Sequence, residues 1–111
     1  MFRDDGDSNM LVLSGTLAAP VELRRFSSGS AMMRLLLTVR TFDPRRRIDV
    51  VPVVLWDSDE ALLLPPLIAG DRLWVSATVQ RRFWSAPDGK QSRLEVIARS
   101  VGRDDPVTTA V

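Results

Sequence analysis

Apolar and polar residues alternate along most of this chain with a period of two, and that alternation constrains its fold more than any other feature. Met33, Leu35, Leu37 and Val39 alternate with Arg34, Thr38, Arg40 and Phe42, with Leu36 joining the second set. Val51, Val53 and Leu55 alternate with Val50, Pro52, Val54 and Trp56, and Leu73, Val75, Ala77 and Val79 with Trp74, Ser76, Thr78, Gln80 and Arg82. Successive side chains of a strand point to opposite faces, so each segment reads as a strand with one dry and one wet face.

Turn formers place the boundaries. The first strand is expected from Asn9 to Leu17, with a bend at Ala18-Ala19-Pro20 and a continuation from Val21 to Phe26. Ser27-Ser28-Gly29-Ser30 turns the chain into a second strand, Ala31 to Phe42, and a basic loop leads to a third, Ile48 to Trp56. Pro52 cannot donate a ladder hydrogen bond, so its nitrogen should face an edge or a bulge. Asp57-Ser58-Asp59-Glu60 carries helix-capping oxygens, and Ala61 to Leu64 is expected to form a short helix that Pro65-Pro66 stops. A fourth strand follows from Arg72 to Trp84, and the turn residues Pro87-Asp88-Gly89-Lys90 return the chain as a fifth, Gln91 to Val101.

Five strands with one short helix between the third and fourth is the order of an OB-fold, an all-β, five-stranded Greek-key barrel. On pattern alone a small sandwich with a stray helical turn stays open. With 111 residues, 45% of them hydrophobic, one core is the expectation. The domain should span residues 9–102, between a disordered acidic N-terminus (1–8) and a short flexible tail (103–111).

The chain has no cysteine and no histidine, which excludes disulfides, zinc held by sulfur or imidazole, and catalysis with a Cys or His nucleophile or base. Asp57, Asp59 and Glu60 are better explained by capping than by a cation, so neither metal nor cofactor is expected, nor an enzyme. The first residues lack the pattern of a secretory signal, and the longest apolar stretch, Ala61 to Gly70, is too short for a bilayer and holds two prolines. A cytoplasmic protein without a membrane partner is the expectation. Residues 8–102 hold 13 basic and 9 acidic side chains, a net +4, and 14 of the 15 basic residues in the chain are arginine. Arginine both pairs bidentately with phosphate and stacks on bases.

Five segments in order resemble bacterial single-stranded DNA-binding proteins. They are Asn9 to Leu17 with its Gly15-Thr16-Leu17, Val21-Glu22-Leu23-Arg24 before Ser28-Gly29, Val53-Val54-Leu55-Trp56, Ala69-Gly70-Asp71, and Arg82-Phe83-Trp84 before Asp88-Gly89. Leu11 to Thr16 is also similar to the opening strand of the related primosomal replication proteins, short OB-fold dimers that act mainly through protein contacts. That reading, and an RNA-binding OB-fold, stay open beside single-stranded DNA.

The resemblance implies sequence-independent binding of single strands in replication, recombination or repair. Trp56 and Trp84 fall where the family places stacking aromatics, and Phe42 lies within about one residue of another. Arg34 and Arg82 match polar or basic contact positions, Arg40 and Arg81 lie nearby, and Arg45-Arg46-Arg47 lies in a loop that projects and wraps the strand. Phe83 alternates away from Trp84 and reads as packing. A homodimer or homotetramer is implied, with Trp74, Asn9 and Leu11 at its interface. Two departures stand out. Val50 occupies a position where the family usually has a Trp, and the residues after Arg103 lack the family's acidic tip for recruiting replication or recombination proteins.

Overall fold

The computed structural model describes residues 6–57 and 66–104. Among these residues six strands are formed, β1 (Leu11–Leu17), β2 (Glu22–Arg25), β3 (Ala31–Thr41), β4 (Arg47–Trp56), β5 (Arg72–Ala86) and β6 (Gly89–Arg103). They lie in the order β1-β5-β6-β4-β3-β2, and a further β1–β3 pairing closes five of them into a barrel. The two halves of the expected first strand are β1 and β2, so this is the OB-fold Greek key. A parallel ladder joins β4 to β6 through Val53↔Val96 and Val54↔Ile97.

The alternating dry residues fill the barrel. Leu17, Leu35, Leu37, Val53, Leu73 and Val75 are essentially without solvent contact, and Met33, Leu55, Leu67, Ala77 and Val101 complete the cluster. At the closure, Gly15 passes so near β3 that an added Cβ would lie 2.5 Å from the Thr38 carbonyl oxygen. A side chain there would push open the β1–β3 seam.

The expected helix, Ala61 to Leu64, lies outside the described residues. Just beyond it, Leu67 is buried in the core cluster and the Asp71 carboxylate accepts a hydrogen bond from the Ile68 N–H at 2.9 Å. Asp57, expected among the capping residues, also bonds back to the start of β3. At φ 46° its carboxylate accepts the Ala31 N–H at 2.9 Å, while its own N–H donates to the Ala31 carbonyl at 2.8 Å. It thereby ties the end of β4 to the start of β3.

Several boundaries also differ from those expected. The ladder begins at Leu11 rather than Asn9, because Asn9 replaces a ladder step with its side-chain amide, donating to the Val79 carbonyl at 2.8 Å and accepting from the Val79 N–H at 2.9 Å. Arg47 belongs to β4, paired with Thr41, rather than to the loop. At the other end, β6 runs to Arg103, past the expected domain end at 102, and the Asp104 N–H donates to the Arg72 carbonyl at 2.8 Å. Those first residues of the expected flexible tail are tied to the barrel.

The β5–β6 hairpin extends well beyond the barrel. Its two-residue loop, Pro87-Asp88, is closed by the pair Ala86↔Gly89, and Gly89 takes a φ of 121° that a side chain would strain. This turn sets the register Arg82↔Arg93 and Trp84↔Gln91. Nearer the barrel, a bulge between Ser76 and Ala77 bends the ribbon.

Candidate nucleic-acid interface

The wet faces of β3 and β4 form the floor of a groove. Their register pairs Met32 with Trp56, Arg34 with Val54 and Leu36 with Pro52, all on the outer side of the barrel. β2 adds one wall through Glu22 and Arg24, and β6 with β5 adds the other through Arg93, Glu95 and Arg82. The groove encloses about 770 Å³. Val54, although on the outer face, is nearly buried at its base. Pro52 lies beyond the last residues that pair with β6, so on that side β4 is an edge.

Aromatic rings stand at two places along this surface. Trp56 is 45% exposed and stacks on Phe26, with centroids 5.8 Å apart and 28° between the planes, and the Arg24 guanidinium lies 6.0 Å from the Phe26 centroid. Phe26 is held by the turn after β2, where its N–H donates to the Ser30 carbonyl at 2.9 Å and its carbonyl accepts the Gly29 N–H at 3.0 Å. Phe26 thus covers part of the indole, and nearly half of the Trp56 surface stays open. The second ring is Trp84, 40% exposed, with the Arg93 guanidinium 5.6 Å from its centroid. Both distances fall within the range of cation–π attraction.

Acidic residues hold the groove arginines in place. Glu95 pairs with Arg93 at 3.2 Å and Arg82 at 3.7 Å, and Glu22 with Arg34 at 3.6 Å. The Glu22–Arg34 pair is exposed, and such pairs stabilise by only about 0–1 kcal/mol, so the Arg34 guanidinium is exchanged to another anion at little cost.

Of the residues singled out in the sequence, Trp56, Arg34 and Arg82 line the groove together, and Trp84 shares the face of Arg82 two residues along β5. Phe42, Arg40, Arg45, Arg46 and Arg47 do not line it. They belong to the β3–β4 hairpin, where Arg46 lies 5.6 Å from the Phe42 centroid and Arg47 bonds Asp49 at 2.9 Å. That hydrogen bond, aided by the attraction between the two charges, holds Arg47 above the ordinary arginine pKa and offsets its charge locally. Arg81 is also displaced from the expected surface: alternation puts it on the reverse of the ribbon from Arg82, where it donates to the Ser92 hydroxyl at 3.1 Å.

Phe26, Arg24, Arg93 and Glu95 were not singled out. The signal for Arg93 was present in the two-residue turn, which fixes it opposite Arg82. On the far side of the barrel, Leu11 packs against the core while Val12 is exposed, and Trp74, opposite Ser14 on the same outer face as Val12, lies across Gly102. None of the three tryptophans is in the barrel core.

A barrel of this topology with a basic, aromatic groove across its third and fourth strands defines an OB-fold of the nucleic-acid-binding type. The model of the Single-strand binding protein family matches residues 8–104, and the chain belongs to that family. Among solved structures it is similar to the wild-type single-stranded DNA binding protein from Thermus aquaticus, with a TM-score of 0.77 and 21% identity over 88% of this chain. The chain spans about half of that protein, whose matched part is 50% of its length. No curated protein matches. Among the described residues no helix is long and apolar enough to cross a membrane.

Proposed function

We propose that this protein binds single-stranded DNA without sequence preference and acts by binding rather than by chemistry. The observation that carries this reading is the groove in which the Phe26–Trp56 stack faces arginines on both walls. A base stacked on an aromatic side chain contributes roughly 1–3 kcal/mol, and any base can supply the π-face. Trp56 and Trp84 would hold two bases, while Arg34, Arg82 and Arg93 exchange their carboxylate partners for phosphates. Phe42 and the arginines of the β3–β4 hairpin, Arg40, Arg45 and Arg46, extend the same path. Val50, exposed on that path, offers apolar contact without a π-face.

Family membership supports the rest of the proposal, work in replication, recombination or repair on the nucleoid as a homodimer or homotetramer. The surface around Val12 and Trp74 is the one that a second copy would cover.

Competition for the protein between single-stranded DNA, RNA and duplex DNA of equal length, at two salt concentrations, tests the reading. Single-stranded DNA should compete best and lose affinity as salt rises. Preference for duplex, or for RNA, would overturn it.

A further inference from the structure

The reverse face of the β5–β6 ribbon has a composition of its own. The register pairs Arg81 with Leu94, Phe83 with Ser92 and Ser85 with Lys90, so these six side chains share one side while Trp84, Arg82, Arg93 and Glu95 occupy the other. Phe83 is 67% exposed and Leu94 61%, values far above those expected of packing residues. Two of the six are basic and none is acidic, in contrast to the groove side, where Glu95 offsets the arginines.

This face is continuous with the groove. Leu94 lines the groove rim as well as standing beside Phe83's strand. The β4–β6 ladder begins only at Val96, so β6 from Gly89 to Glu95 pairs with β5 alone and its other side is a rim that a chain can cross.

We propose that this face is a second station for the same single strand, which leaves the groove over Leu94, stacks a base on Phe83 and places phosphates against Arg81 and Lys90. The inference rests on the single-strand reading given above. Charge selects the occupant. A second copy docked symmetrically through this face would bring Arg81 and Lys90 against their own counterparts, whereas a polyanion complements them. An exposed aromatic beside an arginine, with no carboxylate among its face-mates, is what a stacked base next to a phosphate requires.

Oligothymidylates of two lengths separate the stations: one of about 4 nucleotides, which the groove alone accommodates, and one of about 16. Phe83→Ala should leave binding of the short oligomer unchanged and weaken the long one by roughly 5- to 150-fold, the factor for one lost stacked base. Phe83→Leu, which keeps the apolar surface, should behave like Phe83→Ala, and Phe83→Trp should bind the long oligomer as well as the unaltered protein does. Equal affinity of all four proteins for the long oligomer overturns the second station, as does full rescue by Phe83→Leu. A fall in light-scattering mass in Phe83→Ala with unchanged DNA affinity would assign the face to a second copy instead. Failure of the unaltered protein to bind either oligomer would overturn the single-strand reading itself.

Discussion

The Phe26 ring lies against the Trp56 indole at 5.8 Å and 28°, joining the turn after β2 to the last residue of β4. Such a pair contributes about 0.5–1.5 kcal/mol beyond its buried area and holds the indole in one orientation.

Phe26→Ala should therefore weaken oligonucleotide binding through Trp56 without removing it. Immobilising one side chain on binding costs about 0.5–1.5 kcal/mol, so a loss of about 2- to 10-fold is expected, smaller than that of Trp56→Ala. Phe26→Tyr should restore it. Titrations followed by anisotropy of a labelled oligonucleotide check this, and a Phe26→Ala protein of undiminished affinity would show that the stack does not prepare the site.

Glu95 shares its carboxylate between Arg82 and Arg93, and its side chain is only 14% exposed. Replacing it by Gln leaves one more uncompensated positive charge facing the strand. Each phosphate neutralised on a single strand adds about 0.7 to the slope of log affinity against log salt, so Glu95→Gln should steepen that slope by about 0.7 and raise affinity at low salt. An unchanged slope would mean that Glu95 does not compete with phosphate.

Closure of the barrel predicts a contrast between two glycines. Gly15→Ala would place its Cβ 2.5 Å from the Thr38 backbone oxygen, whereas a Cβ at Gly6 meets nothing within 4 Å. Overpacking against backbone costs about 1–3 kcal/mol, so urea denaturation should show that loss for Gly15→Ala and less than about 0.5 kcal/mol for Gly6→Ala.

Assembly has its own test. Val12 is 65% exposed on the face that also carries Trp74. A charge at Val12 would be buried unpaired if a second copy covered this surface. Val12→Glu should reduce the mass in light scattering to that of one chain while keeping the circular dichroism of the barrel. An unaltered mass would move the subunit contact elsewhere.

Much of this architecture was legible because the strands alternate so regularly. The inward set Leu35, Leu37, Val53, Leu73 and Val75 became the core, and the outward set delivered Arg34, Trp56 and Arg82 to one groove. Alternation says nothing, however, about what curls over a sheet. Phe26 reads as the frayed end of a short strand, and only the closed turn at Ser30 brings it to Trp56, distant in the chain. Arg81 was grouped with Arg82 by proximity in sequence, although adjacent residues of a strand face opposite ways. The carboxylates of Glu22 and Glu95 acquire meaning only from cross-strand register, and the seat of Asp57 on Ala31 N–H depends on a positive φ that a capping pattern does not announce.

Stacking of bases on Trp56 and Trp84 is read from tryptophan fluorescence during titration with oligothymidylate. The unaltered protein should be quenched to saturation, with Trp56→Ala and Trp84→Ala each binding more than about tenfold more weakly while remaining folded. Unchanged affinity in both variants would contradict the account.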